Sequence, residues 1–272
     1  MDTFLSFFEN MPAWQRFVWI VICMSSGFLL ELITPLFTFK YKRVRHAGVN
    51  LVFLTTTLMI NVLFGLATVG VFSWMEANRF GLLHWVDFPV WVELVISLLV
   101  FDLVAQYFVH VLLHKYKWMW KLHMVHHSDT HVDVTTGTRH HPIDFFLREM
   151  FALLAVLITG APLAFYMFYR VITIPFTYFT HANIKLPYWF DKSLSYFFVT
   201  PNMHKFHHHF KRPWTNSNYG NILSIWDRMF GTFVYKNPRD IRFGLDVLED
   251  TTDENIGFQF GIPFNKTIKT DY

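Results

Sequence analysis

"WVELVISLLVFDLVAQYFVHVLLHKYKWMWKLHMVHH" runs from Trp91 to His127 and changes character once. Its first part, Trp91 to Leu113, is almost wholly apolar and long enough to cross a bilayer, which takes about 20 residues of helix. Lys115, Lys117 and Lys121 follow, and then histidines gather. His110 and His114 stand at i and i+4 where the apolar run ends; His123, His126 and His127 stand at i, i+3 and i+4. At roughly 100° per residue, each set falls within about a 100° arc of a helix. One helix thus offers two or three imidazoles to a single point.

Outward from this stretch the same two themes recur. Trp14 to Phe39 and Leu51 to Trp74 are further apolar runs of spanning length. Phe145 to Thr180 is too long for one crossing, and "TGAP" at Thr159 to Pro162 interrupts it, so it reads as a helical hairpin that enters and returns. Residues 1–272 are expected to form a single membrane-embedded domain with spans over 14–39, 51–74 and 91–113 and the hairpin over 145–180. The fold class is all-α: an integral membrane helical bundle, three spans plus a helical hairpin, under a cytoplasmic histidine-rich helical cap.

Composition agrees. The chain is 53% hydrophobic, 19% aromatic and 16% charged, against about 25% charged in a soluble domain. One cysteine, Cys23, excludes a disulfide framework, a four-cysteine zinc ribbon or an iron–sulfur cluster built by this chain alone. A net charge of +3 in short basic clusters gives nucleic-acid binding no support. The ten tryptophans and 32 phenylalanines are expected to face lipid or the interface. Lys40, Lys42, Arg43 and Arg45 follow the first run and three lysines the third, whereas the loop from Met75 to Val90 holds Arg79 against Glu76 and Asp87. The positive-inside rule then puts the ends of runs one and three in the cytoplasm. The hairpin brings the rest of the chain, to Tyr272, back to that side, so every histidine cluster shares one face.

A third cluster, "HKFHH", places His204, His207 and His208 in the spacing of "HMVHH". Of the 15 histidines, 13 lie from His110 to His209. A lone histidine is ordinarily a hydrogen-bonded core or surface residue. Three clusters beside membrane runs are not explained that way, because neutral imidazoles gain little from crowding and protonated ones repel; a shared cation resolves the repulsion. Eight clustered imidazoles exceed the four positions of a structural zinc and suit two metals ~3.5–4 Å apart. An imidazole-rich set with no clustered carboxylate fits iron, copper, zinc or nickel, and spacing alone does not choose.

With "FDLVAQYFVHVLLH", "RHHPIDFF", "FTHAN", "TPNMHKFHH" and "NYGNILSIWDRMFGTF" in order, the chain from about residue 101 to 234 resembles the fatty acid hydroxylase superfamily, the membrane sterol desaturases and lipid hydroxylases, among them alkylglycerol monooxygenase-like enzymes. The resemblance implies an integral membrane oxidoreductase of the endoplasmic reticulum or bacterial inner membrane, with its active site on the cytoplasmic face. Two non-haem iron ions, with O2 as co-substrate, would hydroxylate or desaturate a C–H bond of a fatty acyl, sterol or ether lipid. It implies a ninth ligand, His181, beside His110, His114, His123, His126, His127, His204, His207 and His208. No flavin or nicotinamide fingerprint is present, so an external electron donor is expected: a reductase, a carrier protein or a reduced pterin. Asp102, Tyr107 and Asn183, within the matching stretches, are candidates to orient ligand imidazoles; Asp102, costly inside a span, reads either as such a carboxylate or as the partner of a nearby base.

The other histidines read differently. His209, at i+5 from His204, rotates off the shared face. His140 and His141 precede Pro142 in a turn and suit contacts around the ligands or with headgroups. His131 reads as loop, His46 and His84 as interfacial, and Asp227 with Arg228 as stitching a loop to the helical body. Two rival readings are a histidine-rich membrane metal-binding or transport protein, which should carry its histidines along a path within the spans, and a zinc-dependent membrane hydrolase, which needs a glutamate base near the ligands.

Overall fold

The computed structural model describes residues 1–270. Among these no strand forms, only two isolated bridges, Pro35–Ile184 and Phe198–Leu223. A short helix α1 (Asp2–Glu9) packs its Phe4 and Phe8 on Phe168. Three helices are long and apolar enough to cross a membrane, with mean hydropathies of 1.8 to 2.0: α2 (Ala13–Ile33), α3 (Arg43–Asn78) and α4 (Val90–Lys115). Leu66 and Val62 of α3 are 84% and 76% exposed, so among the described residues this face is left uncovered and suits lipid.

The first span ends at Ile33 rather than Phe39. Pro35 has no N–H and disfavours the helical region for Thr34 before it. The chain instead runs beside 183–185: Leu36 N–H donates to Asn183 O (3.1 Å) and Lys185 N–H to Thr34 O (2.8 Å). α3 starts well before Leu51, because His46 and Asn50 are drawn into the protein by polar partners.

The hairpin forms as α6 (Pro142–Thr159) and α7 (Leu163–His181). Gly160 makes the turn with φ 68°, and a Cβ there would lie 2.6 Å from the Phe80 carbonyl. Inside α7, Pro175 removes the N–H that would bond to the Val171 carbonyl. That carbonyl accepts Trp19 Nε1–H of α2 instead (3.1 Å), so the proline's gap becomes an interhelical contact.

Between the third apolar helix and the hairpin, α5 (Lys117–His127) follows α4 after a single extended residue, Tyr116 (φ −99°, ψ 122°). This lets α5 fold back on the end of α4. Trp120, Met124 and Val125 of α5 pack with Val49 and Phe53 of α3 and with Leu245 and Ile262. The remaining helices, α8 (Tyr188–Leu194), α9 (Pro201–His207), α10 (Ile225–Met229) and α11 (Ile256–Gly261), complete the cap. Asp227 does stitch its loop, accepting the N–H groups of Tyr219 (2.8 Å) and Gly220 (2.9 Å). Tyr272 lies outside the described residues.

Candidate metal centre

Four elements deliver imidazoles to one place. The last turns of α4 bring His110 and His114, α5 brings His123, His126 and His127, and the C-terminus of α7 brings His181. α9 is a short helix made possible by its start: Thr200 caps it, accepting Met203 N–H, and Pro201 supplies the first position without wasting a donor. It carries His204 and His207, with His208 at its end. Just before His110, residues Leu103–Phe108 form a π-helical turn. Such a turn advances the register by one residue and is frequent beside functional sites.

All nine histidines are buried and fall into two groups: His110, His114, His123, His127 and His207 in one, His126, His181, His204 and His208 in the other. Within each group one nitrogen per ring lies within 4.8 Å of all the others.

The outer nitrogens show how the rings are held. Nδ1–H donates to a carbonyl oxygen from His110 (Tyr219, 2.8 Å), His126 (Arg139, 3.2 Å), His181 (Thr177, 2.7 Å) and His207 (Ser217, 2.8 Å). His123 Nδ1–H donates to Asp144 Oδ2 at 2.8 Å. A carbonyl or carboxylate only accepts, so these rings carry their proton on Nδ1 and present a bare Nε2. The bare nitrogens face one another: His110 to His123 at 3.0 Å and His126 to His181 at 3.2 Å. Two lone pairs at that distance repel. Among the described residues, both nitrogens of His127 and His208 and Nε2 of His207 are buried without a hydrogen-bond partner. Buried polar atoms are ordinarily satisfied, and a cation in each group would take up Nε2 of His207 and one nitrogen each of His127 and His208. The donor set fits two metal ions.

Electrostatics agree. Burial first, then neighbouring imidazoles, hold His126, His127, His204, His207 and His208 well below the ordinary histidine value. Burial takes His123 from 6.5 to about 4, with Asp144 opposing the shift. Neutral imidazole is the form that binds metal.

Asp102, Tyr107 and Asn183 do not bond to these rings. Asp102 accepts from Tyr169 OH (3.2 Å), Leu223 N–H (3.1 Å) and Trp226 Nε1–H (2.9 Å), tying α4 to α7 and the cap. Tyr107 OH pairs with Thr232 Oγ1 (3.0 Å), and the Asn183 side chain pairs with the Phe37 backbone. Each lies in the right stretch, but helical rotation or chain direction aims it elsewhere. The orienting carboxylate is Asp144, fixed in turn by Arg148 (2.9 Å) and near His140 Nδ1 (3.7 Å). Asp144 thus stands with His123 and His140 in a cluster that does include a carboxylate. Its sequence signal is weak, since 21 residues and a turn separate it from His123.

His140 stacks on His126 (4.7 Å between ring centres), while His141 Nδ1 accepts Ile143 N–H and caps α6. His209 is half-buried and accepts Lys211 N–H, away from both groups. His46 is not interfacial: it is fully buried, with Nε2 3.4 Å from Asp129 and 3.5 Å from Asp133. Burial raises the carboxyl of Asp129, but His46 and Arg139 outweigh it and hold it far below the carboxylate range. Arg139, also fully buried, donates to the Val125 carbonyl (2.8 Å) and Asn50 Oδ1 (3.1 Å), binding α5 to α3.

A cavity of about 560 Å3 opens onto the histidines. His110, His126, His181 and His204 line it, and so do Arg16, Asn61, Glu149 and Arg170, among α2, α3, α6 and α7. Arg170, bonded to Glu149 and Asn61, stands 11 residues before His181 on α7, roughly 16 Å along its axis. A second, larger hollow between α3 and α6, walled by Trp74, Trp85 and Ile158, reaches no histidine.

The fatty acid hydroxylase family model matches residues 94–232. Over 156 residues the chain is 30% identical to ornithine lipid hydroxylase OlsE of Rhizobium tropici, covering 57% of this chain and 46% of that protein. It is 30% identical over 146 residues to alkylglycerol monooxygenase of Xenopus tropicalis and 28% over 148 residues to that of Homo sapiens, covering 51% of this chain and 30% of each relative. The chain thus spans less than half the length of these relatives. No solved structure matches it.

Proposed function

The chain belongs to the fatty acid hydroxylase family, and from that premise we propose that it is an O2-dependent membrane monooxygenase hydroxylating a C–H bond of a lipid, with two iron ions held by its nine gathered histidines. The relatives named for ornithine lipid and alkylglycerol support a lipid as substrate. The observation that carries the reading is the two groups of buried imidazoles whose bare nitrogens converge on one another. His110, His114, His123, His127 and His207 would hold one ion, and His126, His181, His204 and His208 the other. Bound iron would supply the redox chemistry that couples reduction of O2 to oxidation of an unactivated C–H bond, with electrons from a separate reductase, carrier protein or reduced pterin.

The chain's own part is binding, orientation and exclusion of water. Backbone carbonyls and Asp144 fix the Nδ1–H tautomer of five rings, so each offers Nε2 without reorganising. The apolar lining beside them, Phe101, Ala105 and Ala152, gives a lipid chain a dry track to the histidines. A hydrolase reading lacks its base: Asp144, the carboxylate nearest the rings, is already engaged by His123 and Arg148. We assign the histidine face to the cytoplasm and residues 1–272 to a single domain. Cysteines placed at the exposed Tyr116 and Trp85 should label from opposite sides of the membrane; labelling from one side would break that assignment.

The decisive comparison is His207→Ala against His209→Ala. The first should lower bound iron and reduce turnover by orders of magnitude, with similar expression, because spanning helices satisfy their own backbone. The second should leave both near wild type. Full activity in His207→Ala would sink the di-metal reading, and equal loss in both would break the ligand assignment.

A further inference from the structure

The far end of the cavity holds charge that the histidine centre does not use. Arg170 stands about three turns before His181 on α7, roughly 16 Å along the axis. Its Nη1 donates to Glu149 at 2.6 Å and its Nη2 to Asn61 at 2.8 Å, so this guanidinium is matched. Arg148 is likewise matched by Asp144. Arg16, in the first turns of α2, lines the same end. Its Nε is buried without a hydrogen-bond partner, and among the described residues no carboxylate stands in ion-pair contact with it. The cavity end therefore carries one guanidinium more than its carboxylates offset. A charge in a membrane segment is costly without a partner, and such a residue marks a binding site for one. Guanidinium is the side chain best shaped for a carboxylate or phosphate. The volume, about 560 Å3, lies within the usual 300–1,000 Å3 of ligand sites.

We propose that this end of the cavity binds the acidic head, carboxylate or phosphate, of a single-chain anionic lipid at Arg16, with its chain running along the apolar wall to the histidine groups. The head then sets the distance to the oxidised carbon, and an uncharged lipid of equal chain length is held less well. This rests on the proposed function only in taking the histidine end as the place of oxidation.

The test is equilibrium binding to the full chain in nanodiscs of zwitterionic phosphatidylcholine, with metal loaded and after chelation. Three ligands of one chain length compete with a fluorescent fatty acid: oleate, oleyl alcohol and oleoyl lysophosphatidic acid. Wild type should prefer at least one acid over the alcohol by about tenfold or more, the scale of a hydrogen bond to a charged group. The preferred acid identifies carboxylate or phosphate as the head. Arg16→Gln should abolish the preference and leave alcohol affinity unchanged, whereas Arg16→Lys should keep part of it. Glu149→Gln should strengthen the preference severalfold by freeing Arg170, a gain that misfolding cannot produce. Equal affinity for acids and alcohol in wild type overturns the proposal. So does a preference that survives Arg16→Gln, which would mean that Arg16 meets only bilayer phosphates, or an unchanged preference in Glu149→Gln. An Arg16-dependent preference with no oxygen-dependent product would leave this site standing and remove the proposed oxidation instead.

Discussion

Asp144 is fully buried at the start of α6, where one oxygen accepts His123 Nδ1–H and the other accepts Arg148 Nε–H. A carboxylate behind an imidazole fixes its tautomer and raises its basicity, and losing such a partner typically costs 10–100-fold in metal affinity or activity. Asp144→Asn preserves the shape and an acceptor oxygen but not the charge. It should lower turnover and retained metal by about tenfold, while Asp144→Ala, which also strands Arg148, should lose more and fold less well. Metal content and turnover measured together check this; unchanged values in Asp144→Asn would remove its orienting role. Asp102 shows the converse. It is as buried as Asp144, but its three donors come from Tyr169, Leu223 and Trp226, so its substitution should act on folding rather than on the histidines.

At the scale of elements, the contact between α2 and α7 depends on a missing hydrogen bond. Pro175 leaves the Val171 carbonyl without its helical donor, and Trp19 Nε1–H supplies one at 3.1 Å. Trp19→Phe keeps the ring's bulk and orphans that carbonyl, which should destabilise the protein by about 1–3 kcal/mol. Pro175→Ala restores a backbone donor. The double variant Trp19→Phe/Pro175→Ala should therefore recover most of the lost thermal stability, as read by unfolding in detergent. Purely additive losses would mean that the carbonyl never lacked a partner. Gly160 is the other element-level constraint: its φ of 68° and the Phe80 carbonyl beside it leave no room for a side chain at the hairpin's tip.

Across the whole molecule, nine neutral imidazoles are packed into one interior. In metal-free protein this makes acid the vulnerable direction. Above about 6.5 the rings are neutral in both folded and unfolded chains, and the full stability is present. As pH falls below that, the unfolded chain takes up protons while folded His123 resists until about 4. Stability is lost across that window, by about 3 kcal/mol at most for His123 alone. The five other imidazoles held well below the ordinary value add to the loss in the same direction. Chelated protein should show a melting temperature that falls steadily from pH 6.5 to 4; a flat profile would contradict the neutral cluster.

The sequence alone determined the helical membrane class, the three apolar helices and the "TGAP" hairpin. Each of these follows from short-range rules: apolar run length, helical periodicity, and glycine or proline at a turn. Helical periodicity also gathered the histidines into sets, but each HxxHH set is divided between the two groups, His126 apart from His123 and His127 and His207 apart from His204 and His208. Even the early end of α2 was written in Pro35, though the apolar run through Phe39 concealed it. Only the tertiary structure decided which groups face the rings. That Asp144 and not Asp102 holds a histidine, that His46 is buried between two aspartates, and that Arg16 lies unmatched in the cavity reaching the histidines all depend on helices distant in sequence packing side by side. A residue's spacing fixes its direction on its own helix; what stands in that direction is set by the other helices, and no local pattern carries that information.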